Sequence, residues 1–225
     1  MESLESWLLD APLFRDRVDA GRQLLRVLPP ELGRETIVVG LARGGVQVGA
    51  EIAAALDAAL DVVAVRKVRH PYQPEYALGA VTPDGAGVYP RSCDGLTDAQ
   101  VARAVDEAQR EARELDRRLH QTHPPLDRGG RPVVLVDDGL ATGATMIAAA
   151  RWAKSGHAAQ VVAAVPVAAR QSVERVTDEV DLLVCPHVRP DLVAVGIWYA
   201  DFSPVSDGDV LHLLDEAAAR SRVEA

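Results

Sequence analysis

VVLVDDGLATGAT, residues 133–145, decides the fold and most of the chemistry. Its first four residues, Val133, Val134, Leu135 and Val136, make an unbroken aliphatic run, which suits a strand of a parallel sheet covered on both faces. Asp137 and Asp138 follow at the carboxyl end of that strand. In open α/β sheets ligands collect there, because strand ends and helix starts converge on a crevice. Ala141, Thr142, Gly143, Ala144 and Thr145 then lead into a helical run over residues 146–154. Backbone N–H groups left free at a helix start attract an anion, glycine lets the chain close around a phosphate, and threonine hydroxyls add hydrogen bonds. The segment reads as a sugar-phosphate site, with carboxylates for ribose hydroxyls and an amide nest for phosphate. A plain Asp-Asp-Gly turn and a plain Thr-Gly helix cap are the competing readings of each fragment taken alone.

Outward from this segment, strands alternate with helical patterns. Residues 36–41, 61–65, 161–165 and 182–185 are further buried-type strands, and residues 14–28, 46–60 and 169–176 carry helical periodicity. Such alternation predicts an α/β fold, a parallel, doubly wound, Rossmann-like sheet of about five strands flanked by helices. One element stands outside the rhythm. Thr97 with Gln100 offers a capping box, and Val101, Val105, Ala108, Ala112, Leu115 and Leu119 recur at helical steps, so residues 97–121 form a long helical insertion. Its charged remainder is either a solvated face or a homodimer contact.

Two basic constellations accompany the acid pair. In GLARGGVQVG, residues 40–49, Arg43 brings charge while Gly44 and Gly45 remove side chains, so the backbone can approach an anion closely. A tight strand-to-helix turn is the plainer reading. The GxGxxG spacing of a dinucleotide site is missing. Arg66, Lys67, Arg69 and His70 follow the second strand, and the prolines and glycines of HPYQPEYALGAVTPDGAG argue against a regular core element there. A solvated basic turn is the alternative.

The 133–145 segment resembles the phosphoribosyl pyrophosphate signature of type I phosphoribosyltransferases. By that resemblance Asp137 and Asp138 hold the ribose hydroxyls, and Ala141, Thr142, Gly143, Ala144 and Thr145 hold the 5′-phosphate. Ala42, Arg43, Gly44 and Gly45 take the pyrophosphate loop, which in the family often contains a non-proline cis peptide. Arg66 and Lys67 resemble a pair in adenine phosphoribosyltransferases, at the start of a mobile loop that closes over the reacting centre. The PDLVAVG stretch, residues 190–196, resembles the start of the small C-terminal hood that covers the base in hypoxanthine-guanine enzymes. The stacking aromatic of those enzymes falls near Val193, and the nearby acid is shifted to Asp201. Val193, Trp198 and Tyr199 are therefore the acceptor-binding candidates, with the aromatic cluster either stacking on a flat acceptor or closing the core. Ala141 stands where hypoxanthine-guanine enzymes place an acid, as in adenine enzymes. Over nearly its full length the chain is similar to a bacterial group of predicted phosphoribosyltransferases of unassigned acceptor, through its LARGG, PEYALGAV and WYADFS segments.

The resemblance implies Mg2+-dependent transfer of 5-phosphoribosyl from phosphoribosyl pyrophosphate to a nitrogenous base or amine, releasing pyrophosphate. Arg66, Lys67, Asp137 and Asp138 would form the catalytic set, with Asp137 and Asp138 near Mg2+ directly or through water. The alternative is a phosphoribosyl pyrophosphate-binding regulatory protein without turnover.

Bulk properties set the outer limits. The 225 residues suffice for one sizeable core, and no linker composition divides residues 1–225, so one domain is expected, to which the resemblance adds a hood over residues 186–225. A net charge of -9 disfavours nucleic-acid and anionic-membrane partners. The acidic opening MESLESWLLDAPLF lacks the positive charge of a signal peptide, and no apolar run is long enough to span a bilayer, so a cytoplasmic protein acting on small molecules is expected. Cys93 and Cys185 form no CxxC and read as buried, reduced thiols; His120 and His123 lack further ligands at zinc spacing and read as decorating a helix end.

Overall fold

A computed structural model describes residues 12–90, 93, 95–190 and 192–223; the acidic opening lies outside them over residues 1–11, as does Asp191 of the PDLVAVG stretch. The central sheet contains β1 (Ile37–Leu41), β2 (Ala59–Val63), β6 (Pro132–Val136), β7 (Gln160–Ala164) and β9 (Leu182–Val184), all parallel, in the order β2-β1-β6-β7-β9. The aliphatic run that predicts β6 is buried throughout. Its alternate side chains serve two separate cores: Val133 and Leu135 face α4 (Ala144–Ser155), while Val134 and Val136 join Val46 and Ile52 of α2 (Gly44–Leu56). Each such side chain contributes about 1.5–3 kcal/mol by leaving water.

Chain order reverses between β1 and β6. From β1 the chain steps outward to β2, and later re-enters on the other side of β1 as β6. Gly40 lies opposite Val136 in register, so the loops that leave these two strands open side by side at the carboxyl edge. A sheet of this kind has its ligand crevice at that switch point.

Local elements differ from the sequence reading in instructive places. The first helix, α1 (Arg17–Leu25), begins later than the apolar periodicity, because Asp16 caps it by accepting from the Asp19 N–H while Phe14 bridges to Tyr199 instead. Helix α2 ends at Asp57 in the left-handed conformation, so Ala59 and Leu60 belong to β2. The largest correction is at residues 66–88. An irregular loop is expected there, yet β3 (Arg66–His70), β4 (Gln73–Val81) and β5 (Gly87–Val88) form an antiparallel sheet. Pro71 occupies the turn and Pro74 the exposed start of β4, where neither interrupts a buried ladder. Gly79 lies where a Cβ would meet the Val88 carbonyl oxygen at 1.9 Å, so it marks close strand approach and not a break.

The capping box of α3 (Asp98–Leu119) is present: Thr97 accepts from the Gln100 N–H while the Gln100 side chain accepts from the Thr97 N–H. Its apolar stripe is used within the chain. Ala108 packs on Val68 and Val81 of the hairpin, and Leu115 and Leu119 enter the α2 side of the main core. Also unanticipated are β8 (Val167–Ala169), its parallel partner β10 (His187–Arg189), the 3-10 turn Val195–Trp198, and α6 (Asp207–Val223). Helix α5 (Arg170–Thr177) agrees with its expected position. Both cysteines are free and only half-buried, and no described helix is long and apolar enough to cross a membrane.

His120 does more than decorate the end of α3. It is buried, with Nε2 3.1 Å from Asp61 Oδ1 and Nδ1 3.1 Å from Asp116 Oδ1. Burial alone would push the imidazole down, but hydrogen bonds to Asp116 and Asp61 and their charges outweigh it and raise it to about 9. The folded state therefore holds this proton more tightly than the unfolded chain, whose histidine titrates near 6.5. The stabilisation is complete below about pH 6.5 and is lost as pH rises through about 9. Urea unfolding across that window should show a falling midpoint that His120→Gln flattens. Parallel pH profiles for the two proteins would remove His120 as the cause.

Candidate functional site

At the carboxyl edge of β1 the chain passes through a cis Ala42–Arg43 peptide into Gly44 and Gly45, the first two residues of α2. The acid pair sits directly against them. A Cβ on Gly44 would stand 2.0 Å from Asp138 Oδ2, and one on Gly45 2.1 Å from the Val136 carbonyl oxygen. Only glycine permits this contact, so the two sequence motifs form one wall of a single crevice.

The carboxylates are unlike in their surroundings. Asp137 Oδ1 accepts from the Asp138 N–H at 2.9 Å. Burial raises its carboxyl well above the ordinary range, the Asp138 charge adds to this, and Arg17 and Lys67 oppose it. Asp138 is also raised by burial, against the pull of Arg17. Arg17 is the functional residue that the sequence reading missed. It donates from Nε to Asp138 Oδ2 at 2.9 Å and from Nη1 to the Ser203 carbonyl at 2.9 Å, with its guanidinium 3.9 Å from the centre of the Phe202 ring. A signal existed: Arg17 shares its helix face with Ala20, Gly21 and Leu24, all buried, so a charge interrupts an apolar stripe.

Beyond the acid pair, the Ala141–Thr145 loop enters α4 through Gly143 in the left-handed conformation, with no side chain capping the helix. The first N–H groups of α4 are thus open to an external acceptor. Helix α5 holds this loop from behind: Ser172 Oγ donates to the Ala141 carbonyl at 2.6 Å and Arg175 Nη1 to the Thr142 carbonyl at 2.9 Å. The loop is therefore held in place by contacts within the protein.

Cations approach from the hairpin side. Lys67 is exposed and close enough to Asp137 to lower its carboxyl through charge. Arg66 turns to a different neighbourhood, with Arg43, Arg69, Arg118 and Glu111 around it. Arg43 does not stand free in the glycine loop: its Nε donates to Asp207 Oδ1 at 2.6 Å.

The three acceptor-binding candidates divide between core and surface. Trp198 and Tyr199 are buried in a small core with Phe14 and Val167. Tyr199 packs between Phe14 and Phe202 and donates its hydroxyl to the Asp138 carbonyl at 2.6 Å, while Arg189 covers the Trp198 ring. Of the two readings of the aromatic cluster, these two rings follow core packing, here against the acid pair, and not open stacking. Val193, in contrast, is 79% exposed, and Ile197 is 49% exposed.

Comparison with known proteins agrees with this geometry. The family model for the Phosphoribosyl transferase domain matches residues 31–189. A Mycobacterium tuberculosis protein named "Putative phosphoribosyl transferase" is 42% identical over 209 residues, covering 91% of this chain. The chain spans about half of that relative, 47% of its length. The crystal structure of the TT1426 protein from Thermus thermophilus is similar at 41% identity and a TM-score of 0.77, over 90% of this chain and 98% of that one. The AQ2163 protein of Aquifex aeolicus, at 15% identity and a TM-score of 0.51 over 82% of this chain and 83% of its own, shares the fold alone.

Proposed function

The chain belongs to the phosphoribosyl transferase domain family, and from that membership we propose that it transfers a 5-phosphoribosyl group from phosphoribosyl pyrophosphate to a nitrogenous base or amine, with release of pyrophosphate. The observation that carries this reading is the joint between β1 and β6, where the glycine loop, the acid pair and an uncapped helix start meet within one crevice. Those three features suit the diphosphate, the ribose hydroxyls and the 5′-phosphate of one donor molecule.

In this mechanism the N–H groups at the start of α4 and Thr145 hold the 5′-phosphate. Asp137 and Asp138 fix the ribose hydroxyls and so orient the anomeric carbon. Arg17 keeps Asp138 in place, and Tyr199 ties the backbone of the same residue to the hood. As the bond to pyrophosphate lengthens, negative charge grows on the leaving group while the ribose ring becomes positive; Lys67 and Arg66 lie on the side where that negative charge develops. The donor set fits Mg2+, which takes oxygen ligands: two adjoining carboxylates, each raised by burial, would gain from a divalent cation, with substrate and water oxygens completing the shell. Bound there, Mg2+ would neutralise diphosphate charge.

The direct test is incubation with phosphoribosyl pyrophosphate, Mg2+ and a panel of bases and amines, following pyrophosphate release. With an acceptor in hand, Lys67→Ala should lower kcat on the order of ten- to a hundredfold, with ribose 5-phosphate affinity retained. Unchanged turnover would take Lys67 out of the mechanism. Donor binding without release for any acceptor would favour the regulatory alternative.

A further inference from the structure

Three arginines from separate elements converge beside the glycine loop. Arg43 precedes α2, Arg66 begins β3 and Arg118 lies in the last turn of α3. Asp207, the first residue of α6, accepts from Arg43 Nε on Oδ1 at 2.6 Å and from Arg118 Nε on Oδ2 at 3.0 Å. One carboxylate thus spans two guanidiniums that would otherwise repel each other. Arg66 is lowered by burial first and then, against Glu111, by the charges of Arg43 and Arg118. Its buried Nε has no hydrogen-bond partner among the described residues.

Exposure separates this cluster from the other arginine-aspartate pair. The side chains of Arg17 and Asp138 are 7% and 16% exposed, whereas those of Arg43, Arg118 and Asp207 are 40%, 41% and 29% exposed. Water and solutes reach the second set, so its carboxylate can exchange with another anion. A carboxylate that bridges two guanidiniums offers the same pair of charged acceptors as a phosphate group.

The geometry points to Asp207 as a resident counter-anion that yields Arg43 and Arg118 to the diphosphate of the donor, which makes Arg118 a diphosphate-binding residue. This rests on the transfer reading above. Asp207 then sets the affinity for diphosphate from outside the crevice: it keeps the arginines together in the free protein and must be displaced when the ligand enters.

Calorimetric titration with inorganic pyrophosphate, and separately with ribose 5-phosphate, both in Mg2+, tests the assignment. Asp207→Asn should tighten pyrophosphate binding about threefold or more because a competing charge is removed. Arg118→Gln should weaken it about tenfold through loss of charge-assisted hydrogen bonds. Ribose 5-phosphate affinity should stay within about twofold of the parent in both variants. Phosphoribosyl pyrophosphate should follow the pyrophosphate pattern. The start of α6 survives Asp207→Asn, since Ser206 and Asp209 cap it reciprocally, with Asp209 N donating to Ser206 Oγ at 3.1 Å and Ser206 N to Asp209 Oδ2 at 2.8 Å. Circular dichroism checks that both variants are folded.

Weaker pyrophosphate binding in Asp207→Asn would overturn the assignment, because Asp207 would then be holding the arginines ready instead of competing. Unchanged binding in Arg118→Gln would overturn it too. A parent protein that binds ribose 5-phosphate but not pyrophosphate refutes this inference alone, and one that binds neither refutes the transfer reading along with it.

Discussion

Replacing Asp137 and Asp138 together by Asn is expected to weaken Mg2+-dependent binding of phosphoribosyl pyrophosphate at least about tenfold, roughly 1.4 kcal/mol if a single charged hydrogen bond is lost. The change keeps side-chain volume and removes both anionic acceptors from the crevice. Its effect on stability should divide between the two positions. Asp137 is a carboxyl whose folded-state affinity for protons is raised by burial and by its neighbour. Once pH exceeds the value at which it ionises in the unfolded chain, its charge therefore works against folding. Asp137→Asn alone should raise the thermal midpoint while lowering donor affinity. Asp138→Asn should lower the midpoint: burial raises the Asp138 carboxyl as well, but stranding the buried guanidinium of Arg17 without its anionic partner costs more than that relief returns. Calorimetric titration together with thermal unfolding of the three variants checks both statements. Unchanged donor affinity in a folded double variant would refute the ribose assignment.

The second large effect is expected from a single methyl group. Gly45→Ala places a Cβ 2.1 Å from the Val136 carbonyl oxygen, which is backbone of the central strand and cannot rotate aside. Alanine would ordinarily favour the first turn of a helix by up to about 1 kcal/mol over glycine. Here the clash must exceed that gain, and a net loss of about 1–3 kcal/mol is expected, the range of overpacked cores. The displacement would also push the glycine loop away from Asp138, so donor affinity should fall with stability. Gly33→Ala is the matching control, since a Cβ there meets nothing within 4 Å. Urea midpoints for the two variants decide the matter; a Gly45→Ala protein as stable as the control would mean that α2 and β6 do not approach as described.

The parts of the molecule legible from the sequence share a physical property: their determinants are local. A run such as residues 133–136 is buried on both faces and needs no distant partner to be recognised as a strand. The acid pair and the loop after it lie within nine residues, 137–145. What escaped is either half-buried or remote. Strands β8 and β10 have three residues each, and β4 is exposed along its first four residues, so none carries a clean periodic pattern. The contacts that complete the site join distant parts of the chain, with Arg17 and Asp138 separated by 121 residues and Arg43 and Asp207 by 164. The hood aromatics were legible as a cluster, but the choice between packing and stacking depended on Phe14, which reaches them from the other end of the chain.

The reversal of strand order at β1 and β6 also bears on which parts of the chain could be exchanged around the crevice. The chain leaves the central sheet at Val63 and rejoins it at Pro132, yet β1 and β6 are direct hydrogen-bonded neighbours. The whole excursion, hairpin and long helix together, is thus spliced between two neighbouring strands, and it meets the main core through Ala80, Leu115 and Leu119. Exchanging it would alter what stands over the crevice while the facing register of Gly40 and Val136 carried on unchanged. A substitute would have to reproduce those apolar contacts and also the His120–Asp61 hydrogen bond, which clips the far end of the long helix back to β2. Variation at this margin would change what lies over the crevice while leaving the β1–β6 joint, the proposed sugar-phosphate site, intact.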